Sequence, residues 1–221
     1  MEFGKEDTMK SNKDILDEIL NKLDNMSYIS PSDIPEIDLY MDQVTTFMDE
    51  HLKANKRSPE DKILTKTMIN NYTKNRLLPP PVKKKYSKQH LLLLVFIYYY
   101  KSLLSFADIE NILKPVTKGH FFKEDDSCID LGEIYNETLK LNIDSIKIIK
   151  DDLKDKFNKA QNTFTQVEEK DREQLMLFSF ISELLFDIYL KKRIVEKIAE
   201  HLSELNNDSS DKNDRDRKSV V

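Results

Sequence analysis

Arg76–Tyr86 reads RLLPPPVKKKY, three prolines running directly into three lysines. A proline triplet stops a helix and forces an extended path. Three lysines at its end build no core. The chain carries 35 basic and 40 acidic residues, a formal net charge of -5, so a concentrated basic segment needs a reason.

That segment is wider than the triplet. Between Lys62 and Ala107 there is no Asp or Glu, whereas Lys62, Lys66, Lys74, Arg76, Lys83, Lys84, Lys85, Lys88 and Lys101 are all basic. Part of the gap reflects the apolar run LLLLVFI at Leu91–Ile97, which reads as a core helix. The lysines beside the prolines do not. A segregated basic face on an acidic protein is an electrostatic footprint for phosphate.

On either side of the triplet the pattern is helical. Leu39–Lys53 forms one helix, with Tyr40, Val44, Phe47 and Met48 as its inner face. After the polar turn ANKRSPED a second begins near Thr65, with Ile69 and Tyr72 facing the core. Lys66, Asn70, Thr73 and Lys74 fall on its outer face and Asn71 on the border, with Thr67 and Arg76 beside them. Asn pairs bidentately with adenine edges, and Lys and Thr reach phosphates. Lys83, Lys84 and Lys85 follow as an extended tip, and in a strand at least one of them points away from the others. Ser87 caps a third helix through Tyr100, and Ser105 with Asp108 caps a short fourth reaching Leu113. Helix, turn, helix, extended basic tip and further helices is the order of a winged helix-turn-helix that binds double-stranded DNA.

These residues carry a resemblance. Tyr72, Leu77, Leu78 and Pro79, then Lys84, Tyr86 and Ser87, then Ser105, Phe106, Asp108, Ile109 and Leu113 resemble the DNA-binding half of MerR-type regulators over Thr65–Leu113. The whole chain also resembles a family of low-GC Gram-positive proteins carried as a domain of unknown function. The resemblance implies a two-fold dimer on symmetric half-sites. Arg76 stands where MerR-type regulators have a helix-ending glycine, so a left-handed backbone there is strained by about 1 kcal/mol.

Outside this region, Ser11–Asn25 is an amphipathic helix whose Ile15, Leu16, Ile19, Leu20 and Leu23 must cover something, and ISPSDIPEID is a linker. Leu131–Phe157 and Glu169–Leu205 are long amphipathic segments, and Leu175–Leu202 is apolar on more than one face. The expected fold is all-α, a MerR-like winged helix-turn-helix with a small extended wing followed by a long-helix C-terminal domain. Its divisions are an N-terminal helical arm and linker (1–35), a DNA-binding domain (36–117), a loop (118–130), a helical dimerisation or effector domain (131–205) and a disordered tail (206–221).

The chemistry of an enzyme is not apparent. His51, His90, His120 and His201 are scattered, and no phosphate-cradling glycine loop, nucleophile elbow or HExxH is present. His120, Asp125, Asp126 and Cys128 share a loop that reads as solvated rather than metal-binding. No catalytic residue, metal or cofactor is expected, although an unknown effector is compatible with the pattern. One cysteine, no signal peptide and no membrane-length apolar run point to a cytoplasmic protein without a membrane partner. Two functional classes follow: a dimeric, sequence-specific transcriptional regulator, or a helical adaptor whose basic patch meets an acidic protein or an anionic membrane surface.

Overall fold

The computed structural model describes residues 11–121 and 129–218. They are mostly helical: α1 (Asn12–Asp24), α2 (Met41–Leu52), α3 (Lys66–Lys74), α4 (Lys88–Tyr100), α5 (Phe106–His120), α6 (Leu131–Gln161) and α7 (Glu169–Lys218). The strands β1 (Leu39–Tyr40) and β2 (Lys85–Tyr86) pair antiparallel, Leu39 opposite Tyr86 and Tyr40 opposite Lys85. Two compact units result. The smaller comprises the chain up to Met26 with Leu141–Tyr189, and the larger comprises Ser27–Lys140 with the chain from Leu190 onward.

The larger unit is organised around α4. Residues His90 to Ile97 are all buried, as expected of a helix apolar on every face. Ile29, Met48, Leu52, Ile69, Leu77, Leu78 and Ile109 join the same core, each almost fully inaccessible. Each such side chain contributes roughly 1.5–3 kcal/mol of burial. The segment expected to be a linker is therefore structural. Ile29 and Ile34 are buried, Pro31–Asp33 form a 3-10 turn, and Asp33 accepts a hydrogen bond from the Ser30 N–H at 2.9 Å. The buried Tyr135 hydroxyl donates to the Ile29 carbonyl at 2.7 Å, which ties this stretch to the start of α6. The boundary accordingly falls at 26/27 rather than 35/36.

Serine and threonine caps set the helix starts. Thr65 Oγ1 accepts from the Met68 N–H on α3, and Ser105 with Asp108 forms a capping box on α5. α5 outruns its expected end at Leu113 and passes through Pro115 to His120. The proline removes one backbone donor, but Val116 packs on the core and Phe121 is buried beyond it. This takes in the first residues of the expected 118–130 loop; Asp125, Asp126 and Cys128 lie outside the described residues.

In the smaller unit α1 finds cover for part of its stripe, while Ile19 stays exposed. Leu16, Leu20 and Leu23 pack with Leu153 and Phe157 of α6 and Met176 and Phe180 of α7. Lys150 holds Asp24 at 2.6 Å. Lys156, itself buried, bridges Asp152 and Asp187. α7 continues as helix to Lys218, so the tail expected to be disordered from 206 is helical over 206–218. Extending an existing helix avoids the nucleation cost, so polar residues suffice there. No helix among the described residues is long and apolar enough to cross a membrane.

Candidate nucleic-acid interface

The end of α3 and the tip that follows it are set by three residues with left-handed backbones. Asn75 closes α3, and Arg76 has φ 60. The Arg76 N–H donates to the Thr73 carbonyl at 3.2 Å and the Leu77 N–H to the Tyr72 carbonyl at 2.9 Å. This is a Schellman closure, with arginine in the place glycine usually takes. It drops Leu77 and Leu78 into the core, each about 1% exposed.

The first two lysines of the triplet form a turn, and only Lys85 belongs to a strand. Val82 and Lys85 exchange both backbone hydrogen bonds, at 3.1 and 2.9 Å. Lys83 and Lys84, between them, have φ 50 and φ 65. Two consecutive left-handed residues make a type I′ turn, which ordinarily favours Asn-Gly because other side chains crowd the backbone. Lys85 is set apart from the other two by its neighbour. Its ammonium lies 5.2 Å from the centre of the Tyr40 ring, while Lys83 and Lys84 are exposed. Tyr40, expected on the inner face of α2, is 54% exposed and lies on β1 instead.

On α3, Ile69 and Tyr72 are buried as expected. The outer face is rotated from its expected centre. Thr67, Asn70, Asn71 and Lys74 are exposed, whereas Thr73 is half-buried and donates its hydroxyl to the Ile69 carbonyl at 3.3 Å. Asn71 is thus central and Thr73 marginal, because helical rotation places Thr73 beside Ile69.

Two acids that are remote in sequence enter the basic region in space. Lys66 is ion-paired with Asp42 at the start of α2, and Lys88 with Glu36. Lys101 serves the fold: its ammonium donates to the Ile63 carbonyl at 2.8 Å and lies over the Tyr98 ring, and burial pulls its pKa down. The exposed cations without a partner among the described residues therefore include Lys74, Arg76, Lys83 and Lys84. Sequence reasoning missed Asp42, Glu36 and Tyr40 in these roles. Only the tertiary fold brings them to these lysines, so no local pattern could have marked them.

Beneath the tip sits His90, 2% exposed, its ring edge-on to Tyr86 and Phe121. The Ser87 N–H donates to Nδ1 at 3.0 Å, which leaves the ring proton on Nε2. That nitrogen is buried toward the Pro79 and Pro80 carbonyls, whose dipoles favour the charged ring, but it meets neither in hydrogen-bonding geometry. Burial outweighs these dipoles and Asp38, and it holds the imidazole pKa below its ordinary 6.5. A lowered pKa means that the folded state resists protonation. The stability is thus complete above 6.5 and is lost as pH falls below it, by at most about 1.4 kcal/mol per pH unit. His90→Gln should flatten the change in urea midpoint between pH 7.5 and 5.5. An equally steep change in the variant would assign the effect to other groups.

Residues 29–138 match a family model described as a domain of unknown function, DUF1836. The DUF1836 match lies within Ser27–Lys140, the continuous stretch of the larger unit. It takes in α2 to α5, the turn at Lys83–Lys84 and both partners of the Tyr135–Ile29 hydrogen bond. Searches of curated proteins and of solved structures return no match.

Proposed function

We propose that the larger unit reads double-stranded DNA, with α3 in the major groove and the Lys83–Lys84 turn over the adjacent backbone as a wing. The protein would act as a dimeric, sequence-specific transcriptional regulator, either a repressor or a ligand-responsive switch. The supporting observation is that three of the four left-handed residues among those described lie in this basic region, the fourth being Phe164 between α6 and α7. Arg76, Lys83 and Lys84 are all basic and exposed, at three positions where Gly or Asn would fold at less cost. Strained residues that keep a particular side chain belong to functional surfaces more often than to scaffolds. The resemblance of Thr65–Leu113 to MerR-type regulators points the same way.

The roles divide by chemistry. Lys74, Arg76, Lys83 and Lys84 contact phosphates and fix the register, while Asn70 and Asn71 face base edges, with Thr67 beside them. Lys66 reaches phosphate only by leaving Asp42. Fluorescence-anisotropy titration of duplexes tiling the chain's own upstream region, at low and physiological salt, tests the reading. Binding to one tile that survives physiological salt is expected. Weak binding to every tile that vanishes with salt would leave a basic patch for an acidic partner or membrane and sink the regulator. Asn70→Ala should lower discrimination at one base pair of the preferred tile by about 1–3 kcal/mol while leaving affinity for scrambled duplex unchanged. An equal loss on both would remove Asn70 from base readout.

A further inference from the structure

In the smaller unit α7 carries two apolar faces, and only one is used. Met176 and Phe180 are buried against α1 and α6, with Leu184 packed beside them. On the adjoining side of the helix Phe178, Ile181, Leu185 and Ile188 are 65%, 52%, 60% and 51% exposed. The rotation of the helix is fixed, because Asp187 on the inner side is held by the buried Lys156 of α6. The exposed face is therefore a set feature of the unit.

We infer that this second face of α7 is the surface on which two copies of the chain associate. The inference rests on the dimeric part of the reading above and not on DNA binding. Three observations favour a second copy as occupant. The four residues recur at i, i+3, i+7 and i+10, the seam spacing that packs one helix against another of the same kind. Phe186 and Tyr189, stacked on each other, border the seam on one side, 60% and 57% exposed. At roughly 200 Å² each, the six half-exposed residues present on the order of 700 Å², close to the ~800 Å² each partner contributes to a stable interface. Thirdly, the charged residues between Gln174 and Tyr189 are Glu183 and Asp187, both acidic. A helix that lies on an anionic membrane needs the opposite charge.

A two-fold arrangement lets the same six residues serve both partners. Sedimentation equilibrium of the full chain without DNA, from 0.5 to 100 µM, reads the association directly. A dimer is expected, and Ile181→Glu with Leu185→Glu should weaken it at least 100-fold while circular dichroism and the melting transition are retained. Leu103→Glu, at an exposed apolar site of the larger unit, should leave it unchanged. A parent chain that stays monomeric at 100 µM overturns the inference, whether or not that monomer floats with anionic vesicles. So does a double variant that remains dimeric. Should the double variant fail to fold, a photo-crosslinking benzoylphenylalanine at Phe178 decides. Chain-to-chain adducts on α7 are expected, and their absence at 100 µM overturns the inference. A dimer that binds no duplex would leave this surface standing and remove the DNA reading alone.

Discussion

Lys83→Asn combined with Lys84→Gly is expected to weaken duplex binding and stabilise the fold at once. The two residues occupy a type I′ turn with φ 50 and φ 65, where an ordinary side chain costs about 1–2 kcal/mol per residue. Asn-Gly fits that backbone. After allowance for the extra freedom glycine gives the unfolded chain, a net gain of about 1 kcal/mol remains, or roughly 2–4 °C in melting temperature for a chain of this size. The same change deletes two cations. Each phosphate contact adds about 0.9 to the salt slope and is worth about fivefold at physiological salt, so affinity should fall roughly 30-fold for each chain bound. The order of preference among tiles should not change. Lys85→Ala should do far less, since that ammonium lies over Tyr40. A variant that melts higher but binds as before, with an unchanged salt slope, would show that the turn touches no phosphate.

Tyr135→Phe should cost the larger unit about 2 kcal/mol, roughly 30-fold in its unfolding equilibrium. Tyr135 is 3% exposed, and burial raises its pKa, so the hydroxyl stays protonated and donates to the Ile29 carbonyl at 2.7 Å. Ile29 is itself fully buried. Without the hydroxyl that carbonyl lies in the core with its desolvation uncompensated, a penalty of about 1–3 kcal/mol. The ring can remain edge-on to Phe96, so packing should change little. The measurement is the urea midpoint at constant slope. Tyr40→Phe is the control, since its exposed ring predicts a change of less than about 0.5 kcal/mol. Equal midpoints for the two variants would mean that the hydrogen bond stabilises nothing.

What the sequence made legible was local. The apolar run of α4 could only be a core helix, the spacing of Ile69 and Tyr72 identified the inner side of α3, and Ser11, Ser87 and Ser105 marked helix starts that the structure uses. The strain expected at Arg76 follows from a helix end that needs a positive φ, and that φ is present. The missed features depend on distant partners or on backbone that breaks its own propensity. Lys-Lys is not a turn signature, so the triplet read as extended chain. Ile29 and Ile34 sit among prolines and polar residues that resemble a linker, and only the facing α4 and α6 give them a core to enter. The acid-free window was visible, but the pairing of Lys66 with Asp42 and of Lys88 with Glu36 was not, because charge along a chain does not report which acids fold back upon it. In α7 the apolar residues were plain, whereas which face is covered depends on α1 and α6.

The left-handed residues also have a genetic consequence. A lysine codon becomes an asparagine codon, and an arginine codon a glycine codon, by a single base change. Random mutation therefore supplies better-folding alternatives at Arg76 and Lys83 in every generation, and stability alone would let them spread. On the proposed DNA reading, only selection for phosphate contact would hold basic residues at such positions, and its loss would let Asn or Gly replace them.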